Sequence, residues 1–220
     1  MSTTTSTKKH KVRLFLVRHG EAVANTEMRY LGLRDDPLTV RGVWEAQQVA
    51  QTLSTLSIAA VYSSPLQRTA NTAKHIADTH GLSVQPEPRL REASFGTWEG
   101  LTRNEVLSRS EVDAEALTRW EADPSGAPPD GESLVSVQER TISFVETLLQ
   151  PYDGQSVVVV SHVSPIKTLL CAAMRTPLTT MRHIFLDTTT ISVVDWGAQS
   201  VVRLFNAHQH LGWDAARWMK

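Results

Sequence analysis

VRLFLVRHG, residues 12–20, is the stretch of sequence that decides the fold class of this chain. Its first six residues are apolar apart from Arg13, which is typical of a strand buried on both faces of a parallel sheet. The strand ends at Arg18 and His19, and Gly20 then lets the chain turn. Ligands of open α/β sheets bind outside the carboxyl ends of the strands. The sequence therefore places a guanidinium and an imidazole where a phosphate group can be bound and attacked.

Two more apolar runs of this kind lie at residues 58–62 and 157–160, and a helical pattern follows each of the three strands. The first helix is predicted from about residue 39 to residue 53. Its predicted buried face carries Val43, Ala46, Ala50 and Leu53. Strands that alternate with helices predict a three-layer α/β/α domain with a mostly parallel central sheet.

The second and third helices are predicted to begin at Ser64-Pro65 and Ser164-Pro165. Serine caps a helix well, and proline suits the first helical position. Residues 190–196 and 200–205 flank Gly197-Ala198 and predict a final β-hairpin. The late strand of this hairpin leaves open whether the protein forms a homodimer.

Residues 86–132 interrupt the strand and helix alternation with short helical patterns at residues 103–109 and 111–121. This stretch has little apolar mass for a core of its own, so we expect an insertion that folds over the sheet edge. A single domain is predicted for residues 12–220, preceded by a disordered polar tail at residues 1–11. Trp213 and Trp218 are predicted to be packing or interface groups.

The composition narrows the class of protein. The chain has 220 residues, of which 41% are hydrophobic, and a net charge of −1. This charge gives no electrostatic reason to expect a nucleic acid or an anionic membrane as partner. The single cysteine, Cys171, excludes an intrachain disulfide framework and fits a reducing compartment. With no apolar run near the ~20 residues that span a bilayer and no apolar signal segment, we expect a cytoplasmic protein.

Charged groups follow all three predicted strands. Arg18 and His19 end the first strand, Arg68 lies about one turn into the helix after the second, and His162 follows the third. The carboxyl ends of parallel strands share one edge of a sheet. We therefore expect two imidazoles and two guanidiniums in one anion-binding pocket.

Four blocks of the sequence resemble the histidine phosphatase superfamily, which includes the phosphoglycerate mutases. They are LVRHGE at residues 16–21, SSPLQRTA at 63–70, LREASFGTWEG at 90–100 and VSH at 160–162. The blocks occur in the family's order and extend the resemblance from about Leu14 to Trp196. The resemblance implies a phosphoglycerate mutase-like fold.

The resemblance also implies a set of catalytic roles. His19 would take the phosphoryl group and become a phosphohistidine. Arg18, Arg68 and His162 would hold the phosphoryl oxygens as charge spreads over them. Glu92 would protonate the departing alkoxide and then help water to attack, which requires a partly buried carboxyl group. No metal or other cofactor is implied, because the guanidinium groups carry the charge.

Five further residues are candidates for substrate binding: Asn25, Val163, Arg34, Glu132 and Ser133. The family often uses an asparagine at the position of Asn25, although this residue could instead form a local turn. Val163 replaces the first glycine of the commoner Ser-His-Gly-Gly pattern and leaves its backbone amide available to phosphate. Arg34, Glu132 and Ser133 are candidates at the pocket mouth. Glu87, Glu99 and Glu132 are the alternatives to Glu92 as the acid.

The compact length and the sequence after Glu92 are similar to the phosphatase branch of the family. VSHVSPIK, at residues 160–167, looks like the α-ribazole phosphatase-like group. We therefore expect a small-molecule phosphomonoesterase. α-Ribazole phosphate, a sugar phosphate, a phosphorylated glycerate and a nucleoside monophosphate are all open as substrates. The alternatives are a cofactor-dependent phosphoglycerate mutase and a non-catalytic module that binds a phosphorylated ligand.

Overall fold

A computed structural model describes residues 10–217, so residues 1–9 of the predicted tail and Trp218 lie outside the described residues. The predicted end of the tail at residue 11 is wrong, because Lys11 pairs in the first strand. The strands are β1 (Lys11–Arg18), β2 (Ala60–Ser63), β3 (Val84–Pro86), β4 (Ser156–Ser161), β5 (Ile191–Gly197) and β6 (Val201–Ala207). The α-helices are α1 (Val23–Thr26), α2 (Val40–Leu53), α3 (Gln67–Thr79), α4 (Arg103–Arg109), α5 (Glu111–Ala122), α6 (Leu134–Thr147) and α7 (Val163–Met174). Within residues 10–217 no helix combines the length and the apolar composition needed to cross a bilayer.

The six strands form one mixed sheet in the order β3-β2-β4-β1-β5-β6. The first four strands are parallel, and the β5–β6 hairpin continues the sheet in the antiparallel sense. The predicted mostly parallel sheet and the predicted hairpin are both confirmed. The register pairs Arg18 with Ser161 and Val160 with Ser63, so β1, β2 and β4 end side by side.

Side chains of the central strands are buried on both faces of the sheet because successive residues point to opposite sides. On β4, Val157 and Val159 pack in one hydrophobic cluster, while Val158 and Val160 pack in the other. Helices α6 and α7 cover the first face, and α2 and α3 cover the second. This arrangement is the predicted three-layer α/β/α architecture.

Helix α2 starts where the sequence predicts, with the Thr39 hydroxyl accepting a hydrogen bond from the amide of Gly42 (3.0 Å). Its buried face differs from the prediction at one position, because Val43 is exposed and Val49 is buried. The reason lies in the first turn, where Gly42 faces the loop after β1. A Cβ atom on Gly42 would lie 2.1 Å from the carbonyl oxygen of Glu21.

The predicted Ser-Pro starts of the second and third helices are wrong. Helix α3 begins at Gln67 with Leu66 in the cap position, because the Ser64 hydroxyl has a tertiary partner instead. Helix α7 begins at Val163, directly after β4, which places Pro165 within its first turn. Proline is tolerated there because first-turn amides have no acceptor within the helix.

The segment between β3 and α6 contains both predicted helices, α4 and α5. Its aromatic side chains pack together with Val137 of α6, so the expectation of an insertion without a core of its own stays a prediction. A third hydrophobic cluster is built around Phe95, Trp98 and Leu117, with Trp120 packed against it. A few large aromatic rings supply the buried area that the aliphatic composition of this segment does not. Elsewhere, Trp213 packs edge-on against His208 with 4.7 Å between the ring centres.

Candidate active site

His19 lies at the end of β1 and is 3% exposed. Its Nδ1 atom is 2.7 Å from the carbonyl oxygen of Gly20. A carbonyl oxygen can only accept, so Nδ1 carries the proton and Nε2 presents a lone pair. Burial, and then the charges of Arg68 and Arg18, hold the pKa of His19 well below its ordinary value. The ring is therefore neutral near pH 7, with Nε2 available as a nucleophile.

The backbone that carries His19 is fixed by close packing at Gly20. The amide of Gly20 donates to the Thr72 hydroxyl of α3 (3.0 Å). A Cβ atom on Gly20 would lie 2.4 Å from the carbonyl oxygen of Gly42. The predicted turn glycine is thus required by the close approach of α2 to the loop after β1.

His162 follows β4, is fully buried, and faces His19 with 5.1 Å between the ring centres. Its Nδ1 atom accepts a hydrogen bond from Nε of Arg68 (3.3 Å), and its Nε2 atom lies 2.9 Å from the Ser64 hydroxyl. Burial, and then the charges of Arg68 and His19, lower the pKa of His162 well below its ordinary value. A neutral ring that accepts at Nδ1 must carry its proton on Nε2. His162 therefore donates to Ser64, a partner that the sequence did not indicate.

Arg68 is fully buried and is held by three hydrogen bonds. Besides the contact with His162, Nη1 donates to the carbonyl of Arg34 (2.5 Å) and Nη2 to that of Gly32 (2.8 Å). Burial lowers the pKa of Arg68 from its ordinary value. The loop that contains Arg34 thus positions Arg68 through its backbone.

Arg18 presents a second buried guanidinium at the same edge. Its Nη1 atom donates to the carbonyl of Leu186 (2.7 Å). The buried Nε atom has no hydrogen-bond partner among residues 10–217. Burial, together with the charge of Arg217, lowers the pKa of Arg18 to about 10, so the group stays charged near neutral pH. A buried donor without an acceptor is rare and indicates a site for a ligand.

Glu92 is 8% exposed and lines the same cavity as His19, Arg68 and Arg18, whereas the fully buried His162 is not part of the cavity lining. Its Oε1 atom accepts from the amides of Ala93 (2.9 Å) and of Ser164 (3.1 Å) in the first turn of α7. An oxygen that accepts two N–H donors has no place for a proton. A proton on this carboxyl group would therefore be carried by Oε2.

The three other carboxylates considered as the catalytic acid have hydrogen-bond or ion-pair partners of their own. Glu87 forms an ion pair with Arg89 (2.8 Å), and Glu132 forms one with Arg140 (2.8 Å). Glu99 accepts hydrogen bonds from two backbone amides. None of the three lines the cavity, whereas Glu92 does.

The cavity has a volume of about 350 Å³. Asn25 and Val163, two of the residues predicted to bind substrate, both line it. The Asn25 Oδ1 atom accepts from the amide of Ala22 (2.9 Å), which fixes the side chain at the start of α1. Val163 is the first residue of α7, where helix amides face an anion favourably.

Three predicted substrate contacts do not line this cavity: Arg34, Glu132 and Ser133. The Arg34 side chain is half exposed and lies 3.7 Å from Asp36. Glu132 is paired with Arg140, and the Ser133 hydroxyl caps α6 by accepting from the amide of Ser136. Each of the three side chains is therefore occupied in holding a loop or a helix end.

The sequence reasoning missed several lining residues: Arg29, Tyr30, Phe95, Trp120, Lys167 and Arg182. One signal was available, because Lys167 stands four residues after Val163 and shares its helix face. The others belong to loops and to α5, whose approach to the cavity depends on tertiary packing. Residues 10–217 contain no cluster of three or more His, Cys, Asp or Glu side chains placed to bind a metal ion.

The comparisons with known proteins cover nearly the whole described chain. Residues 14–207 match the model of the histidine phosphatase superfamily, branch 1. Phosphoserine phosphatase 1 of Hydrogenobacter thermophilus is 36% identical over 203 residues, covering 91% of this chain and 95% of that protein. The adenosylcobalamin/alpha-ribazole phosphatase of Escherichia coli is 32% identical over 185 residues, covering 84% and 90%. The structure of Bacillus stearothermophilus YhfR aligns with a TM-score of 0.84 at 29% identity, covering 91% and 99%.

Proposed function

This chain belongs to the histidine phosphatase superfamily, and we propose that it hydrolyses a small-molecule phosphomonoester through a phosphohistidine at His19. One observation carries the proposal: a neutral, buried imidazole and a buried carboxyl group, Glu92, line one cation-rich cavity. Relatives named as phosphoserine and alpha-ribazole phosphatases support the same reaction class.

In the first step, the Nε2 lone pair of His19 attacks phosphorus and a P–N bond forms. The bond between phosphorus and the ester oxygen breaks, and that oxygen takes the proton from Oε2 of Glu92. Arg18 and Arg68 stabilise the charge that spreads over the phosphoryl oxygens. The unpartnered Nε of Arg18 supports its part in this role. His162 is the proposed third donor, with its Nε2–H turning from the Ser64 hydroxyl to a phosphoryl oxygen when substrate binds.

In the second step, the Glu92 carboxylate accepts a proton from water as the water oxygen attacks phosphorus. The P–N bond breaks, its electron pair returns to Nε2 of His19, and inorganic phosphate leaves. Asn25 and the backbone amide of Val163 are proposed to bind phosphoryl oxygens throughout. No metal ion takes part in the proposed steps, because cationic side chains carry the charge.

The cellular setting is part of the same proposal. We expect a cytoplasmic protein, an expectation supported by the single buried thiol of Cys171. A homodimer through the edge strand β6 stays a prediction.

The experiment compares wild type, His19→Ala and the control His75→Ala, which changes a half-buried histidine of α3 outside the cavity. The panel contains p-nitrophenyl phosphate, phosphoserine, α-ribazole phosphate and 3-phosphoglycerate, the last also assayed for 2-phosphoglycerate. We expect phosphate release by wild type and the control, and none by His19→Ala. Isomerisation of phosphoglycerate without phosphate release would identify a mutase, and no reaction on any ester would identify a binding module.

A further inference from the structure

Lys167 lies on α7, half-buried in the wall of the active-site cavity. Among residues 10–217, no acceptor lies within hydrogen-bonding or ion-pairing distance of its ammonium group. Burial of a charged group is unfavourable unless a partner compensates it. The ammonium group of Lys167 has three donors and is accessible from the cavity, so it is available to an anion that the protein does not supply.

The charges around Lys167 support the same conclusion. The groups that act on it are Arg18, Arg182, Glu92 and Cys171. Burial, and then the charge of Arg18, lower the pKa of Lys167 to about 8, so most of the ammonium is protonated near pH 7. The nearby carboxyl group of Glu92 accepts hydrogen bonds from two backbone amides and transfers the proton in the proposed reaction.

The other cations of the outer cavity have partners. Arg29 forms ion pairs with Glu27 (2.5 Å) and Glu105 (2.6 Å). Arg182 donates to the carbonyl of Trp120 and lies over its ring, 5.0 Å from the ring centre. Lys167 therefore differs from Arg29 and Arg182, because no group within residues 10–217 pairs with its ammonium group.

The position of Lys167 on α7 sets which part of a substrate it meets. Ser164 holds Glu92 through its amide, and Lys167 follows three residues later on the same face, about 4.5 Å further along the helix. Glu92 serves the leaving oxygen in the proposed reaction, so Lys167 lies on the leaving-group side. The cavity lining also contains the neighbouring rings of Tyr30 and Phe95, 4.9 Å apart, which are available to a carbon skeleton.

We propose that Lys167 is a specificity-determining residue that binds a carboxylate on the leaving group, so that the preferred substrates are small phosphomonoesters of hydroxy acids. The inference rests on the proposed phosphatase function. An ammonium group supplies one compact positive charge on a flexible stem, which a single carboxylate on a small leaving group can neutralise. The cavity of about 350 Å³ suits an ester of this size.

The test uses two matched pairs of esters with Lys167→Met and Lys167→Arg. 3-Phosphoglycerate is compared with glycerol 3-phosphate, and phosphoserine with its methyl ester, so that each pair differs in the carboxylate. For Lys167→Met we expect kcat/KM on the acidic member to fall roughly ten- to hundredfold, mainly through KM. The member without the carboxylate should stay within about twofold, and Lys167→Arg should restore most of the loss.

An equal loss on both members of a pair, or no loss on either, would overturn the inference while leaving the phosphatase function intact. Absence of turnover by wild type on every ester would instead overturn the proposed function. A binding measurement tests the role of Lys167 without requiring turnover. Calorimetric titration of His19→Ala and of the double variant His19→Ala/Lys167→Met with 3-phosphoglycerate should give a lower affinity for the double variant, and equal affinities would refute the role of Lys167.

Discussion

Replacement of Glu92 by glutamine isolates the proton that this side chain is proposed to transfer. The amide oxygen of glutamine can take the place of Oε1 and accept from Ala93 and Ser164, which lie 2.9 and 3.1 Å away. The amide nitrogen then occupies the position of Oε2, where it cannot deliver a proton to an alkoxide. The change therefore removes the acid while the hydrogen bonds that hold the side chain are kept.

The expected loss depends on the leaving group. General acid catalysis contributes roughly a hundred- to ten-thousandfold, so kcat on an alkyl ester such as glycerol 3-phosphate should fall by that factor in Glu92→Gln. p-Nitrophenol is far more acidic than an alkyl alcohol and leaves without a proton. Phosphorylation by p-nitrophenyl phosphate should therefore be nearly as fast as in wild type, while hydrolysis of the phosphoenzyme is slowed.

Stopped-flow absorbance provides the assay. Glu92→Gln should release one equivalent of p-nitrophenol in a fast burst and then turn over slowly. Thermal unfolding of the variant should match that of wild type, because the two amide hydrogen bonds remain. A burst rate that falls as much as the steady-state rate on alkyl esters would refute the assignment of Glu92 as the acid.

Three further predictions address charge and packing. Because the pKa of Lys167 is lowered to about 8, kcat/KM for 3-phosphoglycerate should decline as pH rises through that value, and a profile unchanged in Lys167→Arg would contradict this. Gly42→Ala should destabilise the protein by about 1–3 kcal/mol in urea unfolding, because the added Cβ atom would lie 2.1 Å from the carbonyl oxygen of Glu21. As the control, Gln47→Ala at an exposed position of the same helix should have little effect. Three cationic side chains of β1 and β6 lower the pKa of Asp195. The ionised carboxylate therefore stabilises the folded protein fully above the ordinary carboxyl pKa, and this stabilisation is lost as pH falls below that value. Unfolding of Asp195→Asn should accordingly depend less on pH in the acid range, and an equal dependence in both proteins would count against this ion network.

The sequence was sufficient to predict five of the six strands and the groups at the sheet edge, but not the short edge strand β3. Apolar runs buried on both faces identify β1 and β4, and parallel strands necessarily end together. The convergence of Arg18, His19 and His162 therefore follows from strand pattern alone. Glu92 needed the resemblance, because its segment is irregular and carries no periodic signal.

Tertiary contacts explain what the sequence could not predict. The Ser64-Pro65 pair has the pattern of a local helix start, but the hydroxyl of Ser64 is taken by His162, a residue distant in the chain. Arg34 was considered for its side chain, yet its backbone carbonyl positions Arg68. The position of Lys167 in the cavity wall depends on how α7 packs against distant segments of the chain.

The most direct test of the account is the identification of the phosphorylated residue. Wild type and Glu92→Gln are mixed with p-nitrophenyl phosphate and quenched under denaturing alkaline conditions that preserve phosphohistidine. The peptides are then mapped by mass spectrometry, with His19→Ala as the control. The account predicts one phosphoryl group on His19, in greater yield in Glu92→Gln and absent from the control. A phosphoryl group on any other residue, or a p-nitrophenol burst without phosphorylation of His19, would contradict it.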